Sequence, residues 1–220
     1  MVRPFHPRLS DLPRVLPIFP LSGALLLPQG KLPLNIFEPR YLALVQDSLG
    51  WGRIFGMIQP NTLGSGPKDP PVFDTGCAGR VSMFSETEDG RLLITLTGVC
   101  RFRVAEEIEG TRGYRRVIPD WEPFAADLEE APEIALDRER LMAVLRAYLK
   151  LHNMDLNWKA VEAADNLDLS ISLAVACPFE PTEKQALLES PDAQHRGEML
   201  IALMEMAVAG STSGGGLMRQ

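Results

Sequence analysis

The stretch 79–108 reads GRVSMFSETEDGRLLITLTGVCRFRVAEEI, and its alternation decides the fold of the first half of the chain. Leu92, Ile94 and Leu96 fall on one side with Thr95 and Thr97 on the other, the period of two expected of a half-buried strand. Val81 and Met83 alternate with Arg80 and Ser82, and Phe102 and Val104 alternate with Arg101 and Arg103. Glu88-Asp89-Gly90 stands between the first two runs, and Asp-Gly readily takes the positive φ of a tight hairpin. Gly98 separates the later two runs. The spacing predicts an antiparallel meander over 79–108.

Outward from this meander, RIFGMI at 53–58 and YRRVI at 114–118 are further short strands. Five or more short strands at this spacing predict a small barrel or a strongly curled sheet, which leaves few exposed edges. One helix interrupts them. Pro39 suits the first helical position, Glu38 before it complements the positive helix end, and Gly50 supplies the stop. Leu42, Val45 and Leu49 share a face of that helix. The segment 59–75, QPNTLGSGPKDPPVFDT, lacks periodicity and predicts a long mobile loop.

The second half has helical spacing. Ile134, Leu141, Leu145, Tyr148 and His152 form one stripe from 133 to about 152. Thr182 and Gln185 have the spacing of a capping box, opening a helix that runs through Leu188. Ser190-Pro191 starts another, with Met199, Leu200, Leu203, Met204, Ala207 and Val208 inward. Residues 165–177 satisfy both a strand and a helix pattern, and periodicity alone slightly favours strand. The Gly/Ser-rich segment 210–220 predicts a disordered tail. The expected class is α+β.

Composition narrows the functions open to such a chain. Of 220 residues, 45% are hydrophobic and 23% charged, as in ordinary globular proteins. No apolar run approaches the ~18 residues of a membrane span, and the first residues lack the apolar region of a signal peptide. Cys77, Cys100 and Cys177 stand far apart, which argues against a disulfide framework and makes the cytoplasm the expected address. Residues 1–120 carry 14 basic and 12 acidic side chains, whereas 121–220 carry 8 and 17. Only the first half offers a face for a polyanion.

Catalytic signatures are missing. Gly64-Ser65-Gly66-Pro67-Lys68-Asp69 has the wrong spacing for a phosphate loop, and Pro67 removes an amide. His6, His152 and His195 lie in separate segments without a ligand at i+3 or i+4, so no metal site and no cofactor is expected. There is no G-x-S-x-G elbow, and the cysteines read as buried structural thiols. The expectation is a protein that is not an enzyme. The basic group Arg101, Arg103, Arg112, Arg115 and Arg116, next to Tyr114, is the one nucleic-acid signal. Glu106, Glu107 and Glu109 are interleaved with it and predict cross-strand ion pairs.

LPIFPLSGALLLPQGKLPLNIFEPRY at 16–41, above all the hexapeptide Ile36 to Tyr41, resembles the N-terminal substrate-binding domain of Lon proteases, the S16 peptidases. DGRLLITLTGVCRFRV at 89–104 is similar to a strand pair of that family, and LAVACPFEPTEKQALLES at 173–190 to its helical half. The likeness spans about residues 14–208. It implies a PUA-like β-barrel with an inserted helix, followed by an α-helical bundle, and it tips 165–177 towards helix. The expected divisions are an arm at 1–13, the barrel at 14–124, the bundle at 125–209 and the tail. Full-length Lon proteases continue into an ATPase and a Ser–Lys peptidase. Neither set of motifs occurs here, so the expectation is a stand-alone, non-catalytic module that binds polypeptide segments or a protein partner, without a membrane.

Within IFEPRY, Ile36 and Phe37 read as core, Glu38 and Pro39 as the helix start, and Arg40 and Tyr41 as braces against the barrel. In the functional version of the motif Arg40 or Tyr41 rims a peptide groove. The peptide-binding residues expected are Arg40, Tyr41, Leu63, Val72 and Phe73. The alternative is RNA binding, as PUA-like barrels elsewhere perform, through Arg101, Arg103, Arg115 and Arg116.

Overall fold

The structure is a computed structural model describing residues 7–61, 70–130 and 132–214. The start of the expected arm, the loop centre with Leu63 and the last six residues of the expected tail lie outside the described residues. Six strands form one sheet: β1 (Leu16–Pro20), β2 (Lys31–Ile36), β3 (Ile54–Ile58), β4 (Thr75–Glu86), β5 (Leu92–Thr111) and β6 (Tyr114–Asp120). Their order is β2-β5-β4-β3-β1-β6, with β1 and β3 parallel and the other pairs antiparallel.

The near half of β5 is flanked by β2 and β4, and its far half pairs β6, bending the sheet back on itself. β2 stays outside that circuit as an edge strand. The chain therefore forms one bent six-stranded sheet, not the closed barrel expected. The predicted break at Gly98 is also absent, because β5 runs through it. Gly79 pairs Gly98 while Ala78 pairs Cys100, so β5 absorbs an extra residue as a bulge. A Cβ on Gly98 would overlap the Leu27 carbonyl. Glycine here permits the close passage of the loop at Leu27 and Pro28, not a turn.

Alternation then buries two faces of the sheet. Leu16 and Ile18 of β1, Ile54 and Ile58 of β3, Ala78 of β4, Phe102 of β5 and Val117 of β6 form one small core. The Phe102 ring fills its centre. A Cβ on Gly56 would lie 2.8 Å from that ring and one on Gly76 2.5 Å from it, so both glycines are required by its bulk. Phe19, Phe55, Met57 and Cys77 point the other way, into a larger core shared with the helices.

α1 (Pro39–Gly50) packs on β1, β3 and β6 and buries Tyr41, Leu44, Val45 and Ser48, a face rotated from the predicted Leu42, Val45 and Leu49. Five helices follow: α2 (Arg138–His152), α3 (Trp158–Ala163), α4 (Asn166–Ala176), α5 (Pro181–Glu189) and α6 (Ala193–Gly214). The ambiguous 165–177 is helix α4, opened by the Asp165 carboxylate accepting from the Asp168 N–H. Its Leu167, Ile171 and Ala174 fill the larger core. The box that opens α5 is Glu180 with Glu183, not Thr182 with Gln185. α6 reaches Gly214, past the expected start of the tail.

Polar ties cross between sheet and helices. The Gln185 amide donates to the Thr75 carbonyl at 3.1 Å, and the Gln59 amide donates to the Pro181 carbonyl at 2.8 Å. Burial leaves these groups no water to turn to, so each tie fixes α5 on the sheet.

Candidate functional site

α1 ends abruptly. The Ser48 carbonyl accepts from the Trp51 and Arg53 N–H groups at 3.0 and 2.8 Å, and the chain reverses through Gly52 (φ 79°) and Arg53 (φ 63°) into β3. Arg53 holds a left-handed conformation that costs a side-chain-bearing residue about 1 kcal/mol. This reversal leaves Trp51 without a wall to lie on. Its side chain is the most exposed large apolar group among the described residues, at 84%.

Beside Trp51 opens a cleft of about 550 Å³. Pro13, Val15 and Pro17, leading into β1, make one wall, and Ile54 with Trp51 makes another. Val15 is itself 40% exposed. The polar end of the cleft is built from Asp47 on α1 and from Tyr114 and Arg116 on β6. The Tyr114 hydroxyl donates to the Asp47 carboxylate at 2.9 Å, and the Arg112 guanidinium pairs with the other oxygen. Burial, and then the Asp47 carboxylate, push the Tyr114 hydroxyl up to about 12. It stays a protonated donor. The Arg116 guanidinium donates to the Glu109 carbonyl at 2.9 and 2.7 Å, an acceptor that leaves its charge uncancelled.

An apolar floor, a standing indole and a few fixed polar groups suit a binding surface. They hold no activated nucleophile. Burial raises all three cysteine thiols, Cys100 and Cys177 to about 12, which keeps them protonated and inert. Among the described residues no cluster of His, Cys, Asp and Glu could hold a metal, and no helix is long and apolar enough to cross a membrane.

The sequence-predicted peptide residues lie elsewhere. Tyr41 is buried, its ring 3.9 Å from that of Phe19, and it ties α1 to β1 rather than rimming a groove. Arg40 reaches back to Glu38 at 3.0 Å and lies over the Tyr41 ring. Phe37, read as core, is 62% exposed. Val72 bridges to Pro60 and Phe73 donates its N–H to the Gln59 carbonyl, both half-buried at the other end of β3 from the cleft. Leu63 lies outside the described residues.

The four arginines of the RNA reading do not share one exposed face. Arg101 is 4% exposed, held by Asp127 and by the Leu188 and Ser190 carbonyls, because helices cover the sheet at this point. Arg103, on the same side of β5, is exposed. Arg115 pairs with Glu107 at 2.6 Å, the cross-strand ion pair the interleaved acids predict. Arg116 belongs to the cleft.

Sequence reasoning missed that cleft. Its signal was Gly50-Trp51-Gly52: a tryptophan between two glycines at a helix stop has neither helix nor strand to fold it inward.

Comparison with known proteins gives one family. The model of the ATP-dependent protease La (LON) substrate-binding domain matches residues 15–206. A Lon protease of Dictyoglomus thermophilum is 25% identical over 194 residues, 85% of this chain and 24% of that protein. A Lon protease of Bacillus thuringiensis is 27% identical over 197 residues, 87% of this chain and 24% of that protein. The chain thus spans about a quarter of these relatives' length. Among solved structures, a Lon N-terminal domain protein from Xanthomonas campestris is similar at a TM-score of 0.58 and 27% identity, covering 86% of this chain and 97% of that one. The N-terminal domain of Mycobacterium avium complex Lon protease has the same fold at a TM-score of 0.54 and 15% identity, covering 87% and 98%.

Proposed function

The chain belongs to the Lon substrate-binding domain family, and from that membership we propose that it is a non-catalytic module that binds polypeptide, with the Trp51 cleft as its contact surface. The observation that carries the reading is the standing Trp51 indole beside an apolar cleft. Tryptophan is among the residue types enriched at binding hot spots, and covering an exposed indole removes a large apolar area from water. The matched family model covers binding sequence only, and the raised cysteine thiols supply no nucleophile. The bent sheet is PUA-like in this reading, and the helices after residue 124 serve as its bundle. Three free, buried thiols support a reducing, cytoplasmic address.

Amide and indole NMR shifts test the assignment. On titration with a permanently unfolded, carboxymethylated chain, the Trp51 indole N–H and the Val15 and Ile54 amides move first. Shifts confined to 70–75 or to Arg40 would place the surface at the loop and the IFEPRY motif instead.

A further inference from the structure

Arg196, near the start of α6, is a buried charge with little to satisfy it. It is 4% exposed, and its Nε donates to the Leu187 carbonyl at 3.2 Å. Among the described residues Nη1 and Nη2 donate to no acceptor, and no carboxylate forms an ion pair with this guanidinium. Burial first, and then the charge of Arg101, push it down to about 10, so it stays a cation at neutral pH. A buried cation that lacks acceptors is destabilising, and folded proteins supply such groups with partners. Arg196 lines a cavity of about 110 Å³. Pro28 and Gln29, before β2, line it from the sheet, and Leu167 and Ile171 of α4 and Ala193 of α6 from the helices.

Two guanidinium and three carboxylate groups line the cavity, and they are unevenly paired. Asp127 gives both oxygens to Arg101. Asp192 accepts from the His195 N–H at 2.9 Å and meets its imidazole at 2.8 Å. Glu129 is exposed, where water and salt screen its charge. Arg196 is left as the one buried charge of the cavity without an ion-pair partner, and Ala193 beside it opens α6, whose dipole adds positive potential. We propose that this cavity is an anion site for one compact oxyanion of the phosphate or sulfate class, held by the Nη1 and Nη2 fork of Arg196. Two parallel N–H groups match two oxygens of such an ion. The volume is far below the ~300 Å³ and more of a pocket for a larger organic ligand. The site shares no lining residue with the Trp51 cleft, so the two stand or fall separately.

Inorganic phosphate, titrated into the full chain beside sodium chloride of equal ionic strength, tests the proposal by NMR of the Arg196 Nε–H and the Ala193 amide. Both signals shift saturably with phosphate and not with chloride. Arg196→Lys keeps the charge but loses the fork, and it weakens the phosphate affinity about tenfold. Glu129→Gln removes the exposed carboxylate that opposes the ion and tightens binding about twofold to fivefold. This second variant decides the matter alone should Arg196→Lys lose its circular dichroism. Shifts that grow without saturation in either salt mean that water alone fills the cavity, and they overturn the proposal. Saturable binding that neither variant alters puts the anion elsewhere and overturns it too.

Discussion

Arg101 and Asp127 meet through two hydrogen bonds of 2.9 Å, Nε to one carboxylate oxygen and Nη2 to the other, with 5% and 10% of the two side chains exposed. The same guanidinium donates to the Leu188 and Ser190 carbonyls, so one side chain ties β5 to the turn at Glu122–Leu128 and to the end of α5. Sheet and helices are joined at this point by charge as well as by a shared core.

Removing either partner leaves a buried charge uncompensated, which typically costs about 3–5 kcal/mol. Asp127→Asn and Arg101→Ala each lower the urea midpoint accordingly. Arg101→Met/Asp127→Leu recovers part of the loss, since neither partner's charge is stranded, although the buried Arg196 loses Asp127 as a favourable neighbour. A single-variant cost below about 1 kcal/mol would mean that the pair is not buried as described.

Phe102 and Gly76 are a matched pair of large and absent side chains. Gly76→Ala forces a methyl into the ring's place and costs about 1–3 kcal/mol. Adding Phe102→Leu, which vacates part of that volume, returns some of it. Thermal unfolding of the two singles and the double gives the coupling, and strict additivity would contradict the packing.

How much of this was legible in the sequence depends on the residue. The alternation through Leu92–Leu96 gave β5 correctly, because a period of two has no other regular solution at that length. It did not reveal that Arg101 is covered while Arg103 is open, since both lie on one side of the strand and only the arrival of helices distinguishes them. Gly98 was misread because a glycine that admits a crossing backbone looks, in sequence, like one that makes a turn. Residues 165–177 were undecidable from periodicity because α4 is apolar nearly all round. Trp51 was overlooked because reading for buried stripes passes over apolar residues that stay outside.

The exposed pair His195 and Asp192 makes a pH prediction. Its hydrogen bond to Asp192, at 2.8 Å, raises the imidazole above 6.5, while the His195 backbone N–H first, and then the imidazole, hold the carboxyl below 3.8. The sign follows from linkage. The histidine's contribution is complete below 6.5 and fades as pH rises through its folded midpoint. That of the carboxylate is complete above 3.8 and fades as pH falls through its own. Proton NMR of the imidazole gives a midpoint above 6.5 that drops in Asp192→Asn. An unchanged midpoint would remove the pairing from solution.

Trp51 carries little of the fold, so Trp51→Ala changes stability by no more than about 0.5 kcal/mol. The check is a thermal melt of the variant beside the parent protein. A large loss of stability would mean that the indole packs against something in solution.

The dissociation constant of an unfolded, carboxymethylated chain, measured in parallel for the parent protein and Trp51→Ala, tests the central claim most directly. Loss of a hot-spot aromatic weakens binding about tenfold or more, with the melting temperature unchanged. Equal affinity of the two proteins for that chain would contradict the assignment of the cleft.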